Sequence, residues 1–371
     1  MTISPPALDE RALNRATLAR QLLLERASMT PYEAIGHLVG LQAQTPKSWY
    51  LTLWSRLRDF DPVATGALLE ERRVVRSWFM RQTIHLVTDV DAPTLRAFTQ
   101  PVIERSVRGK WLEALGGIDF GELATEIRAF TEAAPRTPRE LTAHVTARWP
   151  EATDHILVTN AAKALVPLVQ EPPRGVWGRR GAVRLSPLDT WLGTAIPAVL
   201  DPVPIVRRYL AAYGPASVAD AQMWSGATRL GEAFERLRPE LVTFRDGAGR
   251  ELFDLPDAPR PDPATPAPVR FLADYDNLLL AHADRSRFGD TEAKEKLTYR
   301  EGPFPSYLLV DGRVAGVWFA QVEGSRVTAQ VNTVWRLDAA DEDEVRAEAD
   351  AMLRFNYPKA TERRVEVGPI S

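Results

Sequence analysis

Apolar residues recur at helical spacing from Leu13 to Arg26. A second such stretch runs from Tyr32 to Leu41 behind Thr30-Pro31-Tyr32-Glu33, a capping residue followed by proline at the first helical position. Trp49 to Arg58 and Pro62 to Glu71 predict two more helices. From Val74 to Val87 the pattern becomes alternating and β-branched around Trp78, Phe79, Thr83, Ile84 and Leu86, which predicts a strand pair. Helix, helix, helix, hairpin is the order of a winged helix.

The same order recurs twice. Leu123 to Ala133, a capped Thr137-Pro138-Arg139-Glu140 start and an apolar stretch around Ile156 to Leu168 predict three helices. Val166 to Leu185 then predicts a hairpin turning at Pro172-Pro173-Arg174-Gly175 and Gly178-Arg179-Arg180-Gly181. In the third copy, Ile205 to Tyr213 stops at Gly214-Pro215, Ser217-Val218-Ala219-Asp220 caps a helix to Trp224, and Leu230 to Leu237 follows. Val242 to Gly247 and Arg250 to Leu255 supply its hairpin. Six prolines between Pro256 and Pro268 mark a linker or extended strap. Beyond it, Phe271 to Leu280, Tyr307 to Val310, Arg313 to Phe319, Ser325 to Val331 and Arg363 to Val367 predict strands, with an acidic helix from Asp341 to Phe355 and turns at Asp311-Gly312 and Gly324. The expected fold is α+β: three tandem winged helices (residues 1–118, 119–200 and 201–258) in a C-shaped arrangement, then an antiparallel β-barrel-like unit (259–371).

Composition narrows the classes. A chain of 371 residues, 45% hydrophobic and 26% charged, suits a multidomain globular protein. It has no apolar run long enough to span a membrane, and its first residues are too polar for a signal peptide, so a cytoplasmic protein without membrane association is expected. Without cysteine, disulfides, zinc ribbons and thiol nucleophiles are excluded. Histidines 37, 85, 144, 155 and 282 lack metal-ligand spacing, and GxxxxGK[ST], GxGxxG after a strand and GxSxG are all missing, so no metal or cofactor is expected.

The net charge of -3 hides an uneven distribution. Asp338 to Asp350 carries seven acids and one arginine, a local -6, so the remainder sums to about +3. Arg174, Arg179, Arg180 and Arg184 lie together without an acid, and Arg96, Arg105, Arg108 and Lys110 form a second basic stretch. The guanidinium fork suits phosphate oxygens.

One short segment carries candidate chemistry. In Leu41-Gln42-Ala43-Gln44-Thr45-Pro46, two neutral amides flank a small apolar residue where a helix runs out against proline. Residues two apart splay onto different faces of a helix, so Gln42 and Gln44 converge only if the backbone is irregular or terminal, and Pro46 disfavours helix at Thr45. From composition alone the segment reads first as a solvent-facing helix end, and more than spacing is needed to overturn that reading.

Tandem winged helices, a C-terminal β-unit and Gln-Ala-Gln together resemble the winged-helix DNA glycosylases of the AlkZ and YcaQ type. Arg81-Gln82-Thr83-Ile84-His85-Leu86-Val87 and Leu272-Ala273-Asp274-Tyr275-Asp276-Asn277-Leu278-Leu279-Leu280 resemble further recurring segments of that family. The resemblance implies that Gln42 and Gln44 are catalytic. Their two-glutamine form resembles the branch that unhooks interstrand crosslinks and confers azinomycin resistance. It further implies a monofunctional glycosylase for N7-alkylguanine acting on double-stranded DNA with alkylated guanine or interstrand crosslinks, and three tandem units in one chain already supply an extended footprint, so a monomer is expected. Such a base already carries positive charge and leaves as a neutral group without a general acid, so amides that place a water and favour charge on the sugar suffice.

Other residues are weighed against structural roles. His85, on an apolar strand, is a core histidine or part of a lesion pocket. Asp276 and Asn277 are expected to hydrogen-bond inside the β-unit, and tryptophans 49, 54 and 78 to be core. Arg179 and Arg180, at a wing tip, and Lys47, beside the motif, are expected to contact DNA. The competing function is a non-enzymatic transcriptional regulator reading DNA through its helix-turn-helix elements.

Overall fold

The computed structural model describes residues 5–105, 115, 118–289 and 305–370. Helix α1 (Glu10–Arg20) starts at Asp9, whose carboxylate accepts from the Ala12 amide. It ends before Arg26 because Leu22 turns left-handed at φ 58°. Helix α2 (Pro31–His37) starts with a capping box between Thr30 and Glu33. The expected continuation to Leu41 does not occur: Val39 (φ 55°) and Gly40 (φ 90°) turn left-handed, and the chain leaves as strand β1 (Leu41–Gln42). A Cβ on Gly40 would lie 2.7 Å from Val87 Cγ1, so glycine is required there.

After α3 (Ser48–Trp54) and α4 (Pro62–Glu70), strands β2 (Val74–Trp78) and β3 (Ile84–Thr88) form the predicted hairpin. Strand β1 adds to β3 with Leu41 opposite Leu86 and Gln42 opposite His85. Helices α5 (Ala92–Arg105), α6 (Phe120–Ala133), α7 (Pro138–Arg148) and α8 (His155–Leu165) lead to β4 (Leu168–Gln170) and β5 (Leu185–Pro187). These two strands join the first hairpin through β4 and β2, giving one sheet in the order β1-β3-β2-β4-β5. The second expected hairpin is therefore a short ladder closed by a long arginine-rich loop.

A short helix, α9 (Leu188–Leu192), precedes α10 (Val203–Tyr213), α11 (Val218–Ser225), α12 (Gly231–Leu237) and the hairpin of β6 (Val242–Arg245) and β7 (Glu251–Asp254). Helix, helix, helix, hairpin is present here as expected. Their core is continuous with the first segment: Phe79, Met80 and Val87 pack with Tyr209, Tyr213, Trp224 and Phe234. The proline strap lies along α1, where Arg11, Arg15 and Arg20 donate to the carbonyls of Pro263, Thr265 and Pro259.

The C-terminal sheet contains β8 (Arg270–Phe271), β9 (Ser306–Val310), β10 (Arg313–Glu323), β11 (Arg326–Thr333) and β12 (Glu362–Pro369) in the order β12-β11-β10-β9-β8. It is open and mixed, and this corrects the expected antiparallel barrel-like unit. The 18-residue helix α13 (Ala339–Asn356) spans the return from β11, so β12 pairs parallel to it. Val345, Ala349, Met352 and Leu353 of α13 pack on Leu308, Val327, Ala329 and Val331 of the sheet. The strand expected over Phe271 to Leu280 ends at Phe271: Tyr275 turns left-handed (φ 58°) and Asp276 caps a 3-10 turn, Asn277–Leu279. No helix among the described residues is long and apolar enough to cross a membrane.

Candidate active site

The turn at Val39 and Gly40 decides the geometry of the Gln-Ala-Gln segment. Pairing with β3 continues past β1, since the Ala43 amide donates to Ile84 O at 2.7 Å. Extended backbone has a side-chain period of two, so Leu41 and Ala43 face the same buried cluster and Gln42 faces the other side, before the chain bends at Gln44. Ala43 is buried with Trp49, Tyr50 and Leu86.

Each carboxamide oxygen is held. Gln42, 5% exposed, accepts at Oε1 from Arg81 Nη2 at 2.6 Å. Gln44 is exposed, and its Oε1 accepts from the Ile84 amide at 3.3 Å. The backbone around Gln42 is clamped as well. Asn277 accepts from the Gln42 amide (3.1 Å) and donates to Gly40 O (2.7 Å) and Tyr213 Oη (3.0 Å). Asp276 makes a two-pronged ion pair with Arg56, at 2.8 and 2.7 Å. Both residues thus hydrogen-bond structurally, but to the first segment rather than only inside the β-unit as expected.

Beside Gln44 opens a cavity of about 680 Å³ whose lining includes Thr45, Lys47, Trp177, Arg180, Asp274 and Lys359. Lys47, Arg180 and Lys359 come from three distant segments, and no ion pair engages any of them among the described residues. Arg179 diverges from its neighbour and pairs with Glu70 of α4. Sequence reasoning missed Lys359. A usable signal existed in the scarcity of lysine, which leaves few isolated ammonium groups to explain.

The profile of the family described as DNA glycosylase AlkZ-like matches residues 35–355. The chain belongs to the AlkZ-like DNA glycosylase family. A Streptomyces sahachiroi protein named interstrand DNA cross-link repair glycosylase is 25% identical over 324 residues, covering 81% of this chain and 85% of that protein. The solved structure of Streptomyces sahachiroi DNA glycosylase AlkZ superposes with a TM-score of 0.75 at 20% identity, covering 98% of this chain and all of the other. Membership of a DNA glycosylase family makes the chain an enzyme of that class and sets aside the non-enzymatic regulator.

Against the family background, the remaining candidates separate. Trp49 is buried and stacks on Tyr50, Trp54 stacks on Phe355, and Trp78 is 8% exposed in the core beneath α6 to α8. Arg96 is buried and donates to Trp78 O and Lys163 O, whereas Arg105 lines a second cavity. Arg108 and Lys110 lie outside the described residues.

His85 sits directly across the ladder from Gln42, buried, with Nδ1 donating to Thr83 O at 3.0 Å. Burial first, and the nearby Arg81 charge second, push its imidazole down to about 3, so the ring is neutral near pH 7. It holds no proton to donate as a cationic acid. Burial also drives His282 down. Between roughly pH 6.5 and the depressed native values the unfolded chain binds protons that the native chain refuses. Stability is complete above that window and falls as the pH drops through it. Urea midpoints at pH 7, 5 and 4 should decrease in that order, while base release shows no inflection near pH 6.5.

Proposed function

We propose that this enzyme is a monofunctional glycosylase that hydrolyses the N-glycosidic bond of cationic N7-alkylguanine in duplex DNA. Its biological role is the unhooking of azinomycin-type interstrand crosslinks, giving self-resistance and base excision repair, as a cytoplasmic monomer. The name of the Streptomyces sahachiroi relative supports the crosslink reading. The observation that carries the chemistry is that each carboxamide oxygen of the segment is held by a single donor, next to a cavity whose lining includes Thr45, Lys47, Arg180 and Lys359.

The C1′–N9 bond breaks with its electron pair moving into the base, which neutralises the alkylated ring. Water then adds to C1′ and releases a proton to solvent. A carboxamide oxygen has two lone pairs. Arg81 and the Ile84 amide each use one, leaving Gln42 and Gln44 a second with which to orient water and favour positive charge on the sugar. A neutral amide is too weak a base for an unmodified purine, so selectivity follows from the leaving group. No lysine Schiff base is required.

The element repeats support three winged helices at 1–118, 119–200 and 201–258, followed by the C-terminal unit at 259–371. In this reading they cup the duplex in a C, with the glutamines in a basic concavity. A crosslinked base tethered to the opposite strand resists flipping, and approach from a concave face avoids extruding it. Arg179 reaches DNA by exchanging Glu70 for phosphate, whereas Lys47, Arg180 and Lys359 engage in no ion pair among the described residues. The triple variant Lys47→Gln, Arg180→Gln, Lys359→Gln should weaken duplex binding and flatten the plot of log affinity against log salt by about 3. An unchanged slope, measured by fluorescence anisotropy, would move the DNA path elsewhere.

The direct test incubates the enzyme with a duplex containing one 7-methylguanine and, separately, an N7-linked crosslink. Free methylated base and separated strands are the expected products. Binding without base release from either substrate would refute the proposal.

A further inference from the structure

Arg81 lies between the first and third segments and touches both. Its backbone is left-handed (φ 52°), as is that of Gln82 (φ 60°), an arrangement that L-residues adopt only where their surroundings impose it. Its guanidinium is half-buried and makes no ion pair among the described residues. One arm donates to Trp224 O in the last turn of α11, where the helix C-terminus carries partial negative charge. The other donates to Gln42 Oε1 at 2.6 Å. Close approach is secured by Gly226, where a Cβ would come within 3.2 Å of the Arg81 Cα.

We propose that Arg81 is a positioning residue that locks the Gln42 carboxamide in one of its two orientations. This rests on the reading of Gln42 as catalytic. A guanidinium only donates, so it accepts the amide with its oxygen turned inward and opposes the flipped form, donor against donor. The second oxygen lone pair and the Nε2 hydrogens then have fixed directions, and Nε2 donates to no group among the described residues. Burial pushes the guanidinium down to about 10, which leaves it charged at neutral pH. The lock therefore persists through neutral pH. Because Arg81 is anchored on α11, the third segment sets the orientation of an amide carried by the first.

A double-mutant cycle of single-turnover rates on a 7-methylguanine duplex tests this. Arg81→Met should slow base release about 10-fold or more, with the duplex concentration for half-saturation changing less than about 2-fold. Arg81→Lys should recover part of the rate, since an ammonium can still donate to Oε1. In a Gln42→Ala background, adding Arg81→Met should change the rate less than about 2-fold. The same loss in both backgrounds, or a wild-type rate for Arg81→Met, overturns the positioning role. If Gln42→Ala itself releases base at the wild-type rate, the catalytic reading of Gln42 fails instead, and this role with it. Should the methionine variant not fold, Arg81→Gln takes its place in the cycle.

Discussion

Replacing either glutamine by alanine should lower single-turnover release of 7-methylguanine by about 10²-fold or more, the loss typical of a positioned polar group. The two variants should arrive there differently. Gln44 is exposed, and its side chain bonds only the Ile84 amide among the described residues, so Gln44→Ala should fold and melt like the parent. Its rate loss is therefore a clean measure of chemistry. Gln42 is buried, and Gln42→Ala strips Arg81 of its amide acceptor, so a modest loss of stability should accompany the rate effect. Both should leave duplex affinity nearly unchanged, because amides that act on the transition state contribute little to ground-state binding. A parental rate for Gln44→Ala would remove it from the chemistry.

Local signals in the sequence proved reliable. The capping boxes at Thr30, Thr137 and Ser217 all form, because residues three apart suffice to specify them. The β2–β3 hairpin and the β6–β7 hairpin likewise follow from alternation and turns. What escaped was set by distant contacts. The left-handed turn at Val39 depends on Gly40 lying against Val87, and it converts an expected helix end into the strand that carries Gln42. The apolar run Leu278-Leu279-Leu280 suggested a strand, yet Leu278 and Leu279 pack beside Leu18 and Leu23 of the first segment. No periodicity reveals that Asn277 clamps Gly40 and Gln42 from more than two hundred residues away. The Gln-Ala-Gln segment stands out in the sequence, whereas the distant contacts that hold it in place do not.

Asp276→Ala should be the most destabilising single change near the site, costing about 3–5 kcal/mol, because it leaves a charge buried without its partner. Arg56 has no exposure and Asp276 is 3% exposed as a residue, so water cannot replace the lost carboxylate. Arg56 keeps only the Thr52 carbonyl (3.0 Å) and the Ser55 hydroxyl (3.3 Å), neither of which balances its charge. The same carboxylate caps the following 3-10 turn through the Leu278 amide at 3.0 Å, so that turn loosens too. Glu70→Gln, which breaks the solvent-exposed pair with Arg179, should by contrast shift stability by less than about 1 kcal/mol. Urea unfolding of both variants separates the cases, and a shift under about 1 kcal/mol for Asp276→Ala would contradict an unpaired buried charge. Removing both charges, with Arg56→Met and Asp276→Leu together, should restore much of the loss, since no ion then remains to be solvated. Base release by that double variant shows how far Asn277, immediately after Asp276, depends on the ion pair for its grip on Gly40 and Gln42.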